Sequence, residues 1–109
     1  MNNRKLGEIG EDTAEKYLIS QGFRILQRNY RCREGEIDIL AERDGILKAV
    51  EVKTRRNAAF GSPCEAVSRY KQDHIRKAAL QYLRSCGRFY PGIEMDVIEI
   101  GINHIQNAF

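Results

Sequence analysis

The sequence predicts an α/β sandwich in which helices cover a mixed sheet, because helical and strand periods alternate along it. Leu6, Ile9, Thr13, Ala14, Tyr17 and Leu18 recur at helical spacing, with Glu8, Asp12, Glu15 and Lys16 on the other side. Three strand-like runs follow. A second helical stripe then passes through Val67, Ile75, Ala78, Ala79, Tyr82 and Leu83.

Each element has a local cause. Gly22 stops the first helix, since glycine adopts the left-handed conformation at little cost. Phe23 to Tyr30, Glu36 to Ala41 and Ile46 to Thr54 read as strands, the last two joined by Glu42-Arg43-Asp44-Gly45, whose Asp-Gly pair makes them a hairpin. Ser62-Pro63-Cys64-Glu65 is a capping box with proline at the first helical position, and the helix it opens runs to Gly87. Ser68 offers a second start within it. Glu94 to Ile100 is a further strand, with a short one expected near Ile102 to Ile105.

Size and composition bound the function. The chain has 109 residues, read as a single domain over residues 1–109 with one modest core. No internal repeat or low-complexity linker divides it. No apolar run approaches membrane-spanning length and no secretory h-region opens the chain, so a cytoplasmic protein without a membrane partner is expected. Cys32, Cys64 and Cys86 are odd in number and lack Cys-x-x-Cys spacing, which argues against a disulfide framework and a zinc site. His74 and His104 have no ligand-like spacing and are expected to serve on a helix surface or in packing.

The chemistry concentrates in Gly35-Glu36-Ile37-Asp38-Ile39-Leu40 and Val50-Glu51-Val52-Lys53, where carboxylates interrupt apolar strands. An ionised carboxylate among Ile and Val is unfavourable unless a cation or hydrogen-bond donors compensate it. By the period of two, Ile37 and Ile39 face away from Asp38, and Val50 and Val52 away from Glu51 and Lys53. Each strand is thus expected to have one apolar and one polar face, with the hairpin bringing Asp38 near Glu51. Mg²⁺ suits such a pair, because it binds through one or two carboxylates and substrate phosphate while keeping several waters. Lys53 would then orient a water or neutralise charge building on phosphorus, giving phosphodiester hydrolysis. The plainer reading of the same spacing is a Glu51–Lys53 ion pair on a solvated face.

These residues resemble the PD-(D/E)XK nuclease superfamily, which includes restriction enzymes and archaeal Holliday-junction resolvases. The whole chain is similar to the small bacterial YraN family, described as endonucleases by prediction. The matching pieces include Gly10-Glu11, Gly22-Phe23, Arg28-Asn29-Tyr30-Arg31, Gly35-Glu36-Ile37-Asp38, Val50-Glu51-Val52-Lys53-Thr54-Arg55, Glu65-Ala66-Val67, Lys71-Gln72 and Asn107-Ala108-Phe109. Ile37 stands where the superfamily's name has proline. The resemblance implies a restriction-endonuclease-like fold with core order α-β-β-β-α-β and a Mg²⁺ or Mn²⁺ cofactor. It also implies that Glu11 joins Asp38 and Glu51 at the metal, with Gln72 supporting the attacking water and Lys71 beside it. Gly10, a poor helix former, is expected to allow a close backbone approach. Glu36 is expected to be a structural carboxylate near the turn, away from the site.

The net charge of +3 is mild, but its placement is informative. Arg24, Arg28, Arg31 and Arg33 fall around the first strand and the following loop, Lys53, Arg55 and Arg56 follow the acidic pair, and Arg69, Lys71, Arg76 and Lys77 occupy the second helix. Basic residues around an acidic centre suit a site that grips a phosphate backbone at its rim. No recognition helix or zinc finger is present, so the expected partner is DNA cleaved by structure or without regard to sequence, branched or single-stranded. Branched DNA needs two sites, which points to a homodimer. The alternative is a non-catalytic nucleic-acid-binding module of the same fold that serves as a partner in DNA repair or uptake.

Overall fold

A computed structural model describes residues 3–56 and 67–109. Among them the elements run α1 (Asn3–Ser20), β1 (Arg24–Cys32), β2 (Gly35–Arg43), β3 (Ile46–Arg56), α2 (Arg69–Cys86) and β4 (Gly92–Ile102). β1, β2 and β3 form an antiparallel meander, and β4 joins β3 in parallel. The fold is therefore α/β, with a four-stranded mixed sheet in the order β1-β2-β3-β4 and a helix on each face. No helix of the described residues is long and apolar enough to cross a membrane.

The expected signals act as written. Gly22, at φ 87°, closes α1 in a Schellman motif: its own N–H reaches the carbonyl of Ile19, and that of Phe23 reaches Leu18. Asp44 and Gly45 both take positive φ, as a type I′ hairpin turn requires. Gly87 ends α2 in the left-handed conformation. Ser68 supplies the N-cap of α2, accepting from the Lys71 N–H at 3.1 Å, while the capping box at Ser62–Glu65 lies outside the described residues. The separate strand expected near Ile102 to Ile105 is not formed. β4 instead runs on to Ile102, because its partner β3 extends to Arg56 and keeps it paired.

Burial corrects the two-faced strands expected from the sequence. Ile39, Ala41 and Val50 pack on Ala14 and Leu18 of α1, whereas Leu40, Leu47 and Ala49 pack on Ile75, Ala78 and Ala79 of α2. A sheet covered on both sides reads as a nearly continuous apolar run, not an alternating one. Ile37 and Ile39 also do not share a face: Ile37 belongs to the α2 side. The neighbouring strand turns with them. Arg28, opposite Ile39, lies against α1, while Tyr30, opposite Ile37, packs edge-on to Tyr82 of α2. Asn29, at φ 52°, lies between them, directly beside the reversal at Asp38. Asn29→Val is expected to lower stability by about 1–2 kcal/mol, since a β-branched residue resists this conformation, and Asn29→Gly to be nearly neutral. Denaturant midpoints of the two variants check this.

Candidate active site

The paired register of β2 and β3 runs from Arg43↔Ile46 to Ile39↔Val50 and stops there. Asp38 is the next residue of β2. Its Oδ2 accepts the Val52 N–H at 2.8 Å, so a side chain takes over where the backbone ladder ends. Across the fork stands Glu51, only 8% exposed and the buried charged residue of the described core. Lys71, in the first turn of α2, forms an ion pair through Nζ with Glu51 Oε1. A cleft of about 420 Å³ is lined by Asp38, Glu51 and Lys71 together with Glu36, Ser68, Tyr70, His74 and Ile75.

The electrostatics follow from that geometry. Burial pushes the Asp38 carboxyl up to about 6, opposed by the Val52 N–H, raised further by the charges of Glu51 and Glu11, and lowered by Lys71. Lys71 is raised, first by its hydrogen bond to Glu51 and then by the same charge together with those of Asp38 and Glu36, against its own burial. The fork thus holds more negative charge than one ammonium neutralises.

The expected site residues divide into groups. Asp38, Glu51 and Lys71 meet in the cleft. Lys53 is two residues from Glu51 on β3, and Val50, Val52 and Ile98 pack toward α1, so the strand period puts Glu51 and Lys53 on the α2 side. Gln72 donates to the Val67 carbonyl at 2.7 Å and lines an adjoining hollow of about 260 Å³, which it shares with Glu51 and Arg76. Glu11 accepts from Arg28 at 3.3 Å and influences Asp38 through its charge. Among the described residues no three His, Cys, Asp or Glu side chains are gathered to hold a metal ion, which leaves the Asp38–Glu51 pair. Two carboxylates and an all-oxygen donor set fit a hard cation that keeps its waters, so the residues present suit Mg²⁺ or Mn²⁺.

The basic residues gather at one end of the sheet. The meander puts the end of β1, the start of β2 and, past the fork, the end of β3 at the same end of the sheet, and the contact of His74 Nδ1 with the Glu34 carbonyl anchors the start of α2 there. Arg33, Arg56 and Arg69 are exposed at that end. Arg31 lies 3.4 Å from Glu36, and Arg55 lies 3.5 Å from Glu99. Arg28 is held by α1, 2.6 Å from Asp12 and 4.0 Å from Glu15 in addition to Glu11.

Two residues line the cleft that the sequence reading does not assign to it. Glu36, expected away from the site, lines the cleft with Asp38, because residues two apart on a strand share a face. His74, expected in a packing or surface role, also faces it. The carbonyl of Glu34 can only accept, so Nδ1 is the donor in this contact. A helical wheel anchored on Lys71 would have found His74, since residues three apart share a face.

Residues 10–100 match the model of the Uncharacterised protein family UPF0102. The chain belongs to that family. The matched span contains Glu11, Asp38, Glu51, Lys53, Lys71 and Gln72. A UPF0102 protein of Syntrophomonas wolfei is 48% identical over 114 residues, covering 98% of this chain and 99% of its own. The UPF0102 protein of Clostridioides difficile is 45% identical over 114 residues and covers all of both chains. One from Rhodococcus jostii is 46% identical over 103 residues, 94% of this chain and 87% of its own. Membership supports the resemblance to the YraN family at the level of the family.

Proposed function

We propose that the chain is a Mg²⁺- or Mn²⁺-dependent endonuclease that hydrolyses phosphodiester bonds in DNA, selective for structure or indifferent to sequence. One observation carries the reading: two carboxylates, Asp38 and Glu51, converge in a buried fork and leave Asp38 short of positive charge. A site with that deficit favours a cation. The observed order α-β-β-β-α-β supports a restriction-endonuclease-like fold, the core that the resemblance implies.

In this reading Asp38 and Glu51 hold the divalent ion, and Glu11 assists from α1 by adding negative charge near Asp38. The chemistry supplied by a bound divalent ion is polarisation of the phosphate and a lowered pKa for a water. Lys53 orients that water and offsets charge developing on phosphorus, while Gln72 supports it. Lys71 and the exposed Arg33, Arg56 and Arg69 receive the phosphate backbone, with Arg31 and Arg55 around them, whereas Arg28 is engaged by the carboxylates of α1. A homodimer would offer branched DNA two such sites in the cytoplasm.

The test is a calorimetric Mn²⁺ titration of the wild type and of an Asp38→Ala, Glu51→Ala double variant, with and without a short DNA. Branched, single-stranded and duplex DNA are then offered with Mg²⁺ or with chelator. Heat of binding confined to the wild type, and cleavage that chelator stops, are expected. No difference between the two proteins in binding and no metal-dependent cut in any DNA would overturn the reading. Retention of DNA unaffected by chelator would then identify a non-catalytic binding module.

A further inference from the structure

We infer that Lys71 is the built-in counter-ion of the carboxylate fork and must release Glu51 before a divalent cation is accepted there, so that Lys71 sets the metal affinity of the site. This rests on the metal-dependent reading above and goes beyond it, because it assigns to Lys71 a role exerted before any DNA arrives.

The argument begins with Glu51. Its side chain is 9% exposed and that of Lys71 is 50% exposed, so the carboxylate is fixed in the interior while the ammonium reaches it from the rim. A carboxylate so buried is stable only when compensated, and the ion pair provides the compensation. The Lys71 backbone is pinned by its N–H to Ser68 Oγ at 3.1 Å. Its side chain has four rotatable bonds, so it can leave the fork without disturbing α2.

An ammonium on Glu51 Oε1 opposes a divalent cation in two ways. It occupies a carboxylate oxygen that the ion would use, and it repels the ion across a poorly solvated gap. Release places the half-exposed ammonium at the rim of the cleft, on the same first turn of α2 that carries the exposed Arg69. A phosphate bound there by Lys71 would therefore favour metal uptake, and the metal would favour phosphate by the same factor.

The test is a Mn²⁺ titration by calorimetry of the full chain as wild type, Lys71→Met, Lys71→Arg and Arg76→Met. Arg76 borders the adjoining hollow but pairs with Asp73 at 3.6 Å, so it reports general repulsion without occupancy of the fork. Lys71→Met is expected to bind about tenfold more tightly, as removal of a cation in contact with a shielded carboxylate should allow. Lys71→Arg should stay near the wild type, and Arg76→Met should change affinity by less than about threefold because exposed charges are screened. Lys71→Gln repeats the measurement if the Met variant melts early. Binding by Lys71→Met no tighter than wild type, or an equal gain in Arg76→Met, overturns the inference while the metal site stands. No binding by wild type or any Lys71 variant removes both.

Discussion

Asp38→Asn is expected to abolish metal-dependent cleavage and, at neutral pH, to make the protein more stable. The amide keeps an oxygen for the Val52 N–H, so the fork retains its hydrogen bond while the charge is lost. Loss of a metal-holding carboxylate removes several kcal/mol of transition-state stabilisation, about 10³-fold or more in rate. The stability gain has a definite sign. The Asp38 carboxyl is raised from 3.8 to about 6 in the folded chain, chiefly by burial. Below the unfolded value both states are protonated and the charge has no effect. As pH rises through the window from about 4 to 6 the folded state binds more protons than the unfolded state, so wild-type stability falls; above it the loss is constant.

A shift of this size has a ceiling of about 3 kcal/mol, which partial solvent screening reduces to about 1–2 kcal/mol. At about 4–8 °C per kcal/mol for a domain of this size, the variant should melt visibly higher at pH 7 and together with the wild type at pH 4. Melting curves across that range decide it. A variant that is less stable at pH 7 would mean that Asp38 is held there by compensating charge and is not a strained carboxylate.

Gly10→Ala is expected to destabilise the fold despite the better helix propensity of alanine. A Cβ at Gly10 would lie 1.7 Å from Thr54 Oγ1 and 2.9 Å from Thr54 Cβ, so rotating the threonine cannot clear it. α1 would have to move off β3. Overpacking of this kind costs about 1–3 kcal/mol, against about 1 kcal/mol gained in the helix; a contact as close as 1.7 Å belongs at the upper end, for a net loss of up to about 2 kcal/mol. Thr54→Ala in the Gly10→Ala background should recover part of it, because the nearest atom is removed but Cβ remains. A double-mutant cycle by denaturant unfolding measures the coupling. The displacement also bears on the site, since Glu11 follows Gly10 and Lys53 precedes Thr54. Metal affinity in Gly10→Ala therefore reports whether the approach of α1 to β3 tunes the fork.

Much of this protein was legible in its residues because the signals are local. The stops at Gly22 and Gly87, the Asp-Gly hairpin and the cap at Ser68 each depend on a few neighbouring atoms, and each is found where the sequence places it. Asp38 and Glu51 stand out for the same reason, as charges set among Ile and Val. The order of elements followed from the change of period along the chain.

What the sequence could not contain is how the sheet is covered and where it parts. Strict alternation put Ile37 and Ile39 on one face, yet the coupled reversal at Asn29 and Asp38 sends them to opposite helices. Alternation is a property of a lone regular strand, and a twist shared by two strands depends on pairs far apart in sequence. The same limit hid the partnership of Lys71 with Glu51. The residues by themselves determined which groups are chemically costly to bury. Only the tertiary structure decided that two of those groups meet where β2 leaves β3, because the separation of strands and the seating of α2 are settled by packing on both faces at once.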